Sequence, residues 1–162
     1  MKIRRIDEAV EACREHLERS SAFNSEVEIF LTRYLMVLMC ASFEEKIKEL
    51  VNVRARDSND KAIISFVSSA LDRLVRSVKS GEIAGLLGRF GEQYKNRFQM
   101  RMKEAEVAEM YFNNIVVNRH DTAHSRGSNV TFSELVKFYD EGHVVLDAFE
   151  EALSVPDQPE AE

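Results

Sequence analysis

Apolar residues recur at spacings of three and four along most of this chain, the period of a helix with one buried face. Ile6, Val10, Cys13 and Leu17 predict a first helix over about residues 3–20. The stretch S-S-A-F-N-S at 20–25 breaks it, and Asn24 or Ser25 supplies a cap for the next helix. Glu26 and Glu28 suit the positive N-terminal end of that second helix, predicted to run to about Val53. Its first half is apolar on most faces, with Val27, Ile29, Phe30, Leu31, Tyr34, Leu35, Val37, Leu38 and Met39. Such a helix is either central or shared between the core and a partner subunit. Its second half narrows to one stripe of Phe43, Ile47 and Leu50 or Val51.

After a polar connection with capping residues at Ser58, Asn59 and Asp60, a third helix is expected over about 61–79, stopped by Ser80 and Gly81. Its buried stripe is predicted as Ile63, Phe66 or Val67, Ala70, Leu71, Leu74 and Val78. Four of the six glycines (Gly81, Gly85, Gly88, Gly91) then fall close together, which predicts a short helix near 82–88, a bend, and a helix over about 91–102. Tyr94, Phe98 and Met102 mark its inner face, and Ala108, Phe112, Ile115 and Val116 that of a helix over about 104–118. Thr131 and Glu134 form a capping box opening a final helix to about Leu153. His143 within it reads as a half-buried packing residue. The pattern predicts an all-α fold: one domain over 1–153, an up-and-down bundle of about five helices with an extra short helix, then a disordered acidic tail over 154–162.

Composition agrees. The hydrophobic fraction of 44% is enough for a core, and both prolines lie in the tail. A net charge of −6 argues against coating nucleic acid by bulk electrostatics, though not against a local basic cleft. Lys95, Arg97, Arg101 and Lys103 form a basic run, read either as a solvated face balanced by Glu92, Glu104 and Glu106 or as one arm of a nucleic-acid groove beside Tyr94 and Phe98. Cys13 and Cys40 lack metal or redox spacing and read as reduced core thiols of a cytoplasmic protein. The N-terminus lacks the apolar region of a signal peptide, and the apolar run at 27–43 is too short and too charged to span a membrane, so no membrane partner is expected.

The densest chemistry lies at 118–128, N-R-H-D-T-A-H-S-R-G-S, which carries Arg119, His120, Asp121, His124 and Arg126 after Asn118. Three readings follow. His124 acts as general acid or base while Arg119 holds a phosphate, a pair able to drive attack of an RNA 2′-hydroxyl on its own phosphodiester without metal. Alternatively, His120 and His124, four apart on one helical face, bind a divalent metal; H-D-T-A-H is similar to the zincin H-E-x-x-H, but the shorter Asp displaces the base and no third ligand is evident. Lastly, the residues are surface or dimer contacts. On one helix Arg119 and His124 stand about 140° apart, so they converge only if the helix ends between them or two subunits supply two copies.

The spacing R-x4-H, with His120 as the polar residue after Arg119, resembles the hallmark of the HEPN superfamily. Residues 113–118, Ala123 before His124, and the long second helix with Ala41, Ser42, Phe43 and Glu44 are similar to its stand-alone prokaryotic branch, RiboL-PSP-HEPN. The resemblance implies a helical bundle that dimerises, with two motifs facing each other across the interface. It implies a metal-independent endoribonuclease, often a toxin or defence protein with an antitoxin or operon-encoded partner. On that carry-over Arg119 stabilises the scissile phosphate of an RNA substrate and His124 is the general acid/base. His120 tunes or positions, and Asp121, Arg126 and Asn118 support. No cofactor and no metal are called for. A non-catalytic module of the same fold, binding RNA, nucleotide or a protein partner, is the alternative.

Overall fold

The computed structural model describes residues 1–76, 78–123 and 130–154, with backbone alone at 120–123. Eight helices and no strand occur among the described residues: α1 (Arg4–Arg19), α2 (Glu26–Arg56), α3 (Lys61–Leu74), α4 (Ser80–Gly88), α5 (Glu92–Glu104), α6 (Glu106–Ala123), α7 (Phe132–Gly142) and α8 (Val144–Ser154). The all-α expectation holds, but eight helices replace about five with one extra. Part of the difference is a small break. Only His143 separates α7 from α8, which together fill the span of the single final helix expected.

Several caps form as the sequence predicts. Ser25 Oγ accepts from Val27 N–H at 3.2 Å, and Asp60 Oδ1 accepts from Ala62 N–H at 2.8 Å and Ile63 N–H at 3.2 Å. Thr131 and Glu134 close their capping box, and the bonds from Thr131 hold the Glu134 carboxyl below its usual range. Cys13 and Cys40 are free thiols within the core. No helix among the described residues is long and apolar enough to cross a membrane.

Three expectations are corrected. Helix α3 ends at Leu74, not near 79, and Ser80 and Gly81 open α4 instead of stopping α3. The cause is tertiary: Val75 leaves helical geometry at φ −105, ψ 88 and is buried with Val78, so the connection dips into the core. Asn113 Oδ1 then takes the orphan N–H of Ser80 at 2.9 Å, and Glu82 takes that of Lys79 at 2.8 Å. Secondly, the predicted buried stripe of α3 holds only in part: Val67 packs against the core and Val78 beyond the helix is buried. Leu71 is buried, but Ile63 and Leu74 are exposed and Phe66 is 75% exposed. Helix α3 packs chiefly on α2, and a single neighbour covers only one side of a helix. The third correction matters most for function: α6 does not stop near Asn118 but continues to Ala123.

The core is one apolar cluster drawn from all eight helices, with Phe43 stacked on Phe112 (ring centroids 5.0 Å apart) where α2 meets α6. Helix α7 approaches α6 closely because residue 142 is glycine. A Cβ there would stand 2.9 Å from the Phe112 backbone nitrogen and 3.1 Å from its Cα. Glu28, buried on α2, accepts from Asn24 N–H at 2.6 Å and Phe132 N–H at 3.0 Å. It thereby caps the first turn of α7 from another helix and pins the chain just after the key stretch.

Candidate functional site

Helix α6 carries the predicted stretch. Arg119 follows Phe112 by seven residues, two turns along the same face, and Phe112, Ile115 and Val116 on that face are buried. Arg119 therefore continues the core-facing stripe at the point where the core gives out. Its side chain is 32% exposed, and Nη1 donates to Glu44 Oε1 on α2 at 3.4 Å. Cys40 lies beneath the pair. Burial pushes its thiol up to about 12, with smaller opposing effects from the neighbouring Arg119 (lowering) and Glu44 (raising). Cys40 Sγ also meets the Ile115 carbonyl at 3.9 Å, which ties the α2 and α6 backbones together under the arginine.

The other predicted site residues divide by position. Asn118 is half-buried, and its amide donates back to the Asn114 carbonyl at 2.8 Å along its own helix. His120 and Asp121 lie on the last turns of α6, though their side chains are outside the described residues. His124 and Arg126 are outside the described residues altogether. Helix α6 does not end between Arg119 and Ala123, which removes most of the interval in which a break was to bring Arg119 and His124 together. No group of three metal-ligating side chains occurs among the described residues, and the His120/His124 pairing lies outside them.

Glu44 is the participant that sequence reasoning passed over. It stood in view, within the A-S-F-E stretch of the second helix, but nothing local marks it as the partner of an arginine 75 residues away. A second missed feature surrounds it. Phe30, Tyr34, Val37, Ala41 and Glu44 follow one another at intervals of four, three, four and three, which places them in one row along α2. Phe30, Tyr34 and Val37 are 64%, 55% and 50% exposed. The row is an apolar strip open to solvent that leads directly to the Glu44/Arg119 pair.

Two of the four cations in the basic run on α5 are paired along their own helix. Lys95 pairs with Glu92 at 3.2 Å and Arg101 with Glu104 at 3.1 Å. Tyr94 and Phe98 are buried and cannot stack on bases. Arg97 lies over the Tyr94 ring at 5.8 Å and lines a shallow groove shared with Glu151 of α8.

The fold defines the class as an all-α helical bundle, with a half-buried arginine on α6. Within it, the chain belongs to the RiboL-PSP-HEPN family, whose sequence profile matches residues 2–155. No curated protein and no solved structure matches it.

Proposed function

We propose that this HEPN protein is a metal-independent endoribonuclease acting as a homodimer, in a toxin or defence role, with an antitoxin or operon-encoded protein as its further partner. Arg119 binds the scissile phosphate, and His124 is the general acid/base. In the first step the RNA 2′-hydroxyl loses its proton to a base and attacks the adjacent phosphorus. The 5′-oxygen leaves with a proton, giving a 2′,3′-cyclic phosphate and a free 5′-hydroxyl. An imidazole titrating near neutrality suits both transfers. An arginine fork suits the phosphorane oxygens, whose charge grows in the transition state.

The observation that carries this reading is the placement of Arg119. It is half-buried, anchored by Glu44, and set at the end of the open strip Phe30, Tyr34, Val37 and Ala41. A partially desolvated guanidinium holds a phosphate more strongly than a solvated one. The strip is the face on which a second copy packs, so the two Arg119 side chains meet across the two-fold axis. His120 positions, while Asp121, Arg126 and Asn118 support. The carboxylate of Glu44 keeps the site filled until a phosphate displaces it.

The test is cleavage of RNA in excess EDTA by the wild-type protein, Arg119→Ala and His124→Ala. Cleavage that survives EDTA and falls by about 10²-fold or more in both variants is expected. Strict dependence on added metal, or full activity in either variant, contradicts the assignment. The alternative of a non-catalytic HEPN module draws on the same ion pair, since Glu44 already offsets the charge on Arg119. RNA or protein capture without cleavage by wild type is its signature.

A further inference from the structure

The connection between α3 and α4 reads R-L-V-R-S-V-K at 73–79, three cations and no carboxylate in a chain of net charge −6. Arg73, Arg76 and Lys79 are all exposed, while Val75 and Val78 between them are buried. Apart from the exposed Leu74, the segment therefore holds its apolar residues inward and its cations outward. None of the three cations forms an ion pair among the described residues. Arg76 turns its Nε back to the Asp72 carbonyl at 2.9 Å and adds a minor attraction to the Asp72 carboxylate, which is bonded by Lys48 at 2.9 Å.

Both ends of the segment are tied to the two helices that carry Glu44 and Arg119. At its start, Asp72 meets Lys48, one helical turn (about 6 Å) along α2 from Glu44, the partner of Arg119. At its end, Ser80 is held by Asn113 through two bonds of 2.9 Å, six residues (about 9 Å) along α6 from Arg119. The cationic segment thus crosses between the two helices that also carry the arginine and its carboxylate. The contrast with the α5 run is chemical: there Lys95 and Arg101 pair with Glu92 and Glu104, while here Asp72 is bonded by Lys48 and Glu82 takes the backbone N–H of Lys79.

We propose that Arg73, Arg76 and Lys79 form a phosphate track that binds the backbone of single-stranded RNA and leads it to Arg119. This rests on the ribonuclease reading and gives an acidic protein the local cationic field that substrate attraction requires. The three contacts are sequence-independent, since cations read phosphate and not base edges. They are binding residues and touch no reacting atom.

The experiment is fluorescence anisotropy of a labelled, uncleavable 2′-O-methyl single-stranded RNA across a salt series. The proteins are wild type, the triple variant Arg73→Gln/Arg76→Gln/Lys79→Gln, and a control, Lys95→Gln/Arg101→Gln. The triple variant is expected to bind about 10- to 50-fold more weakly at physiological salt, with a log–log salt slope shallower by about 2, and the control to bind as wild type. All the substituted side chains are at least partly exposed, and unchanged melting by circular dichroism checks the fold. Wild-type affinity in the triple variant overturns the track and leaves the Arg119 chemistry standing on its own cleavage test. An equal loss in the control also overturns it, since net charge alone would then explain binding. Absence of salt-dependent binding by wild type overturns both the track and the ribonuclease reading.

Discussion

One row of α2 behaves in two ways along its length. From Phe30 through Tyr34, Val37 and Ala41 it faces solvent, yet the same row continues at the same spacings through Lys48, Val51 and Ala55, where Val51 and Ala55 are buried. Helix α3 makes the difference. It lies on the second half, joined by Lys48 to Asp72 at 2.9 Å and by Ser68 to Asn52 at 2.7 Å, and it ends at Leu74 before reaching the first half. The covered half is completed within one chain. The open half has the more apolar side chains and no cover among the described residues, and the Glu44/Arg119 pair sits at the boundary. A helix whose bare end is more apolar than its covered end is built for a second body, and in the dimer we propose that body is another copy.

The largest expected effect comes from charging the open half. Tyr34→Glu or Val37→Glu should raise the dimer dissociation constant by about 10³-fold or more, because an unpaired carboxylate would be buried between subunits. Sedimentation velocity over a concentration series measures it. Phe66→Glu, on the outer face of α3, should leave association unchanged; if it dissociates the dimer instead, the interface has been placed on the wrong face. Next in size is the covered half. Leu71→Ala removes the buried contact of α3 on α2 and should cost about 2–4 kcal/mol in urea unfolding, without reaching the open strip.

Beneath the boundary, Cys40 gives a pH signature. Its thiol is pushed from 9.0 up to about 12 by burial, so the unfolded chain ionises first. The stability it contributes is complete below pH 9 and is lost as pH rises toward 12. The stability gap between wild type and Cys40→Ala should narrow by about 1 kcal/mol between pH 8 and pH 10. The smallest effect belongs to Glu44→Gln. Weakening the carboxylate's hold on Arg119 should tighten RNA binding by roughly two- to fivefold, the scale of a solvent-accessible ion pair. Weaker binding would mean that Glu44 holds Arg119 in its productive position instead of competing with phosphate.

Much of this architecture is legible in the sequence, and the failures have physical reasons. Periodicity found α1, α2 and α5 to within a few residues, and Ser25, Asp60 and Thr131 announced their helices because capping is a local event. The end of α3 was not legible. Nothing within 61–79 signals that Val75 and Val78 are needed in the core, and Ser80 and Gly81 look like a stop until Asn113 and Glu82 take up the free N–H groups. The exposed face of α3 was misjudged for a related reason: hydrophobic periodicity reports that a face is apolar, not what covers it. At the site, Arg119 was singled out by its motif, and the surrounding features were not. Glu44 reaches the arginine only through tertiary packing, and the 73–79 segment is tied to the same two helices only in the fold. The row from Phe30 to Glu44 was hidden by the abundance of apolar residues on the other faces of α2.

The central claim is that one cleft draws on two chains, and mixing two dead enzymes tests it. Arg119→Ala and His124→Ala are co-expressed with different tags, and the mixed dimer is isolated through both. If Arg119 of one copy works with His124 of the other, the mixed dimer retains one intact site and should recover roughly half of wild-type cleavage in EDTA. A mixed dimer of verified composition that stays as inactive as its two parents would contradict the composite cleft.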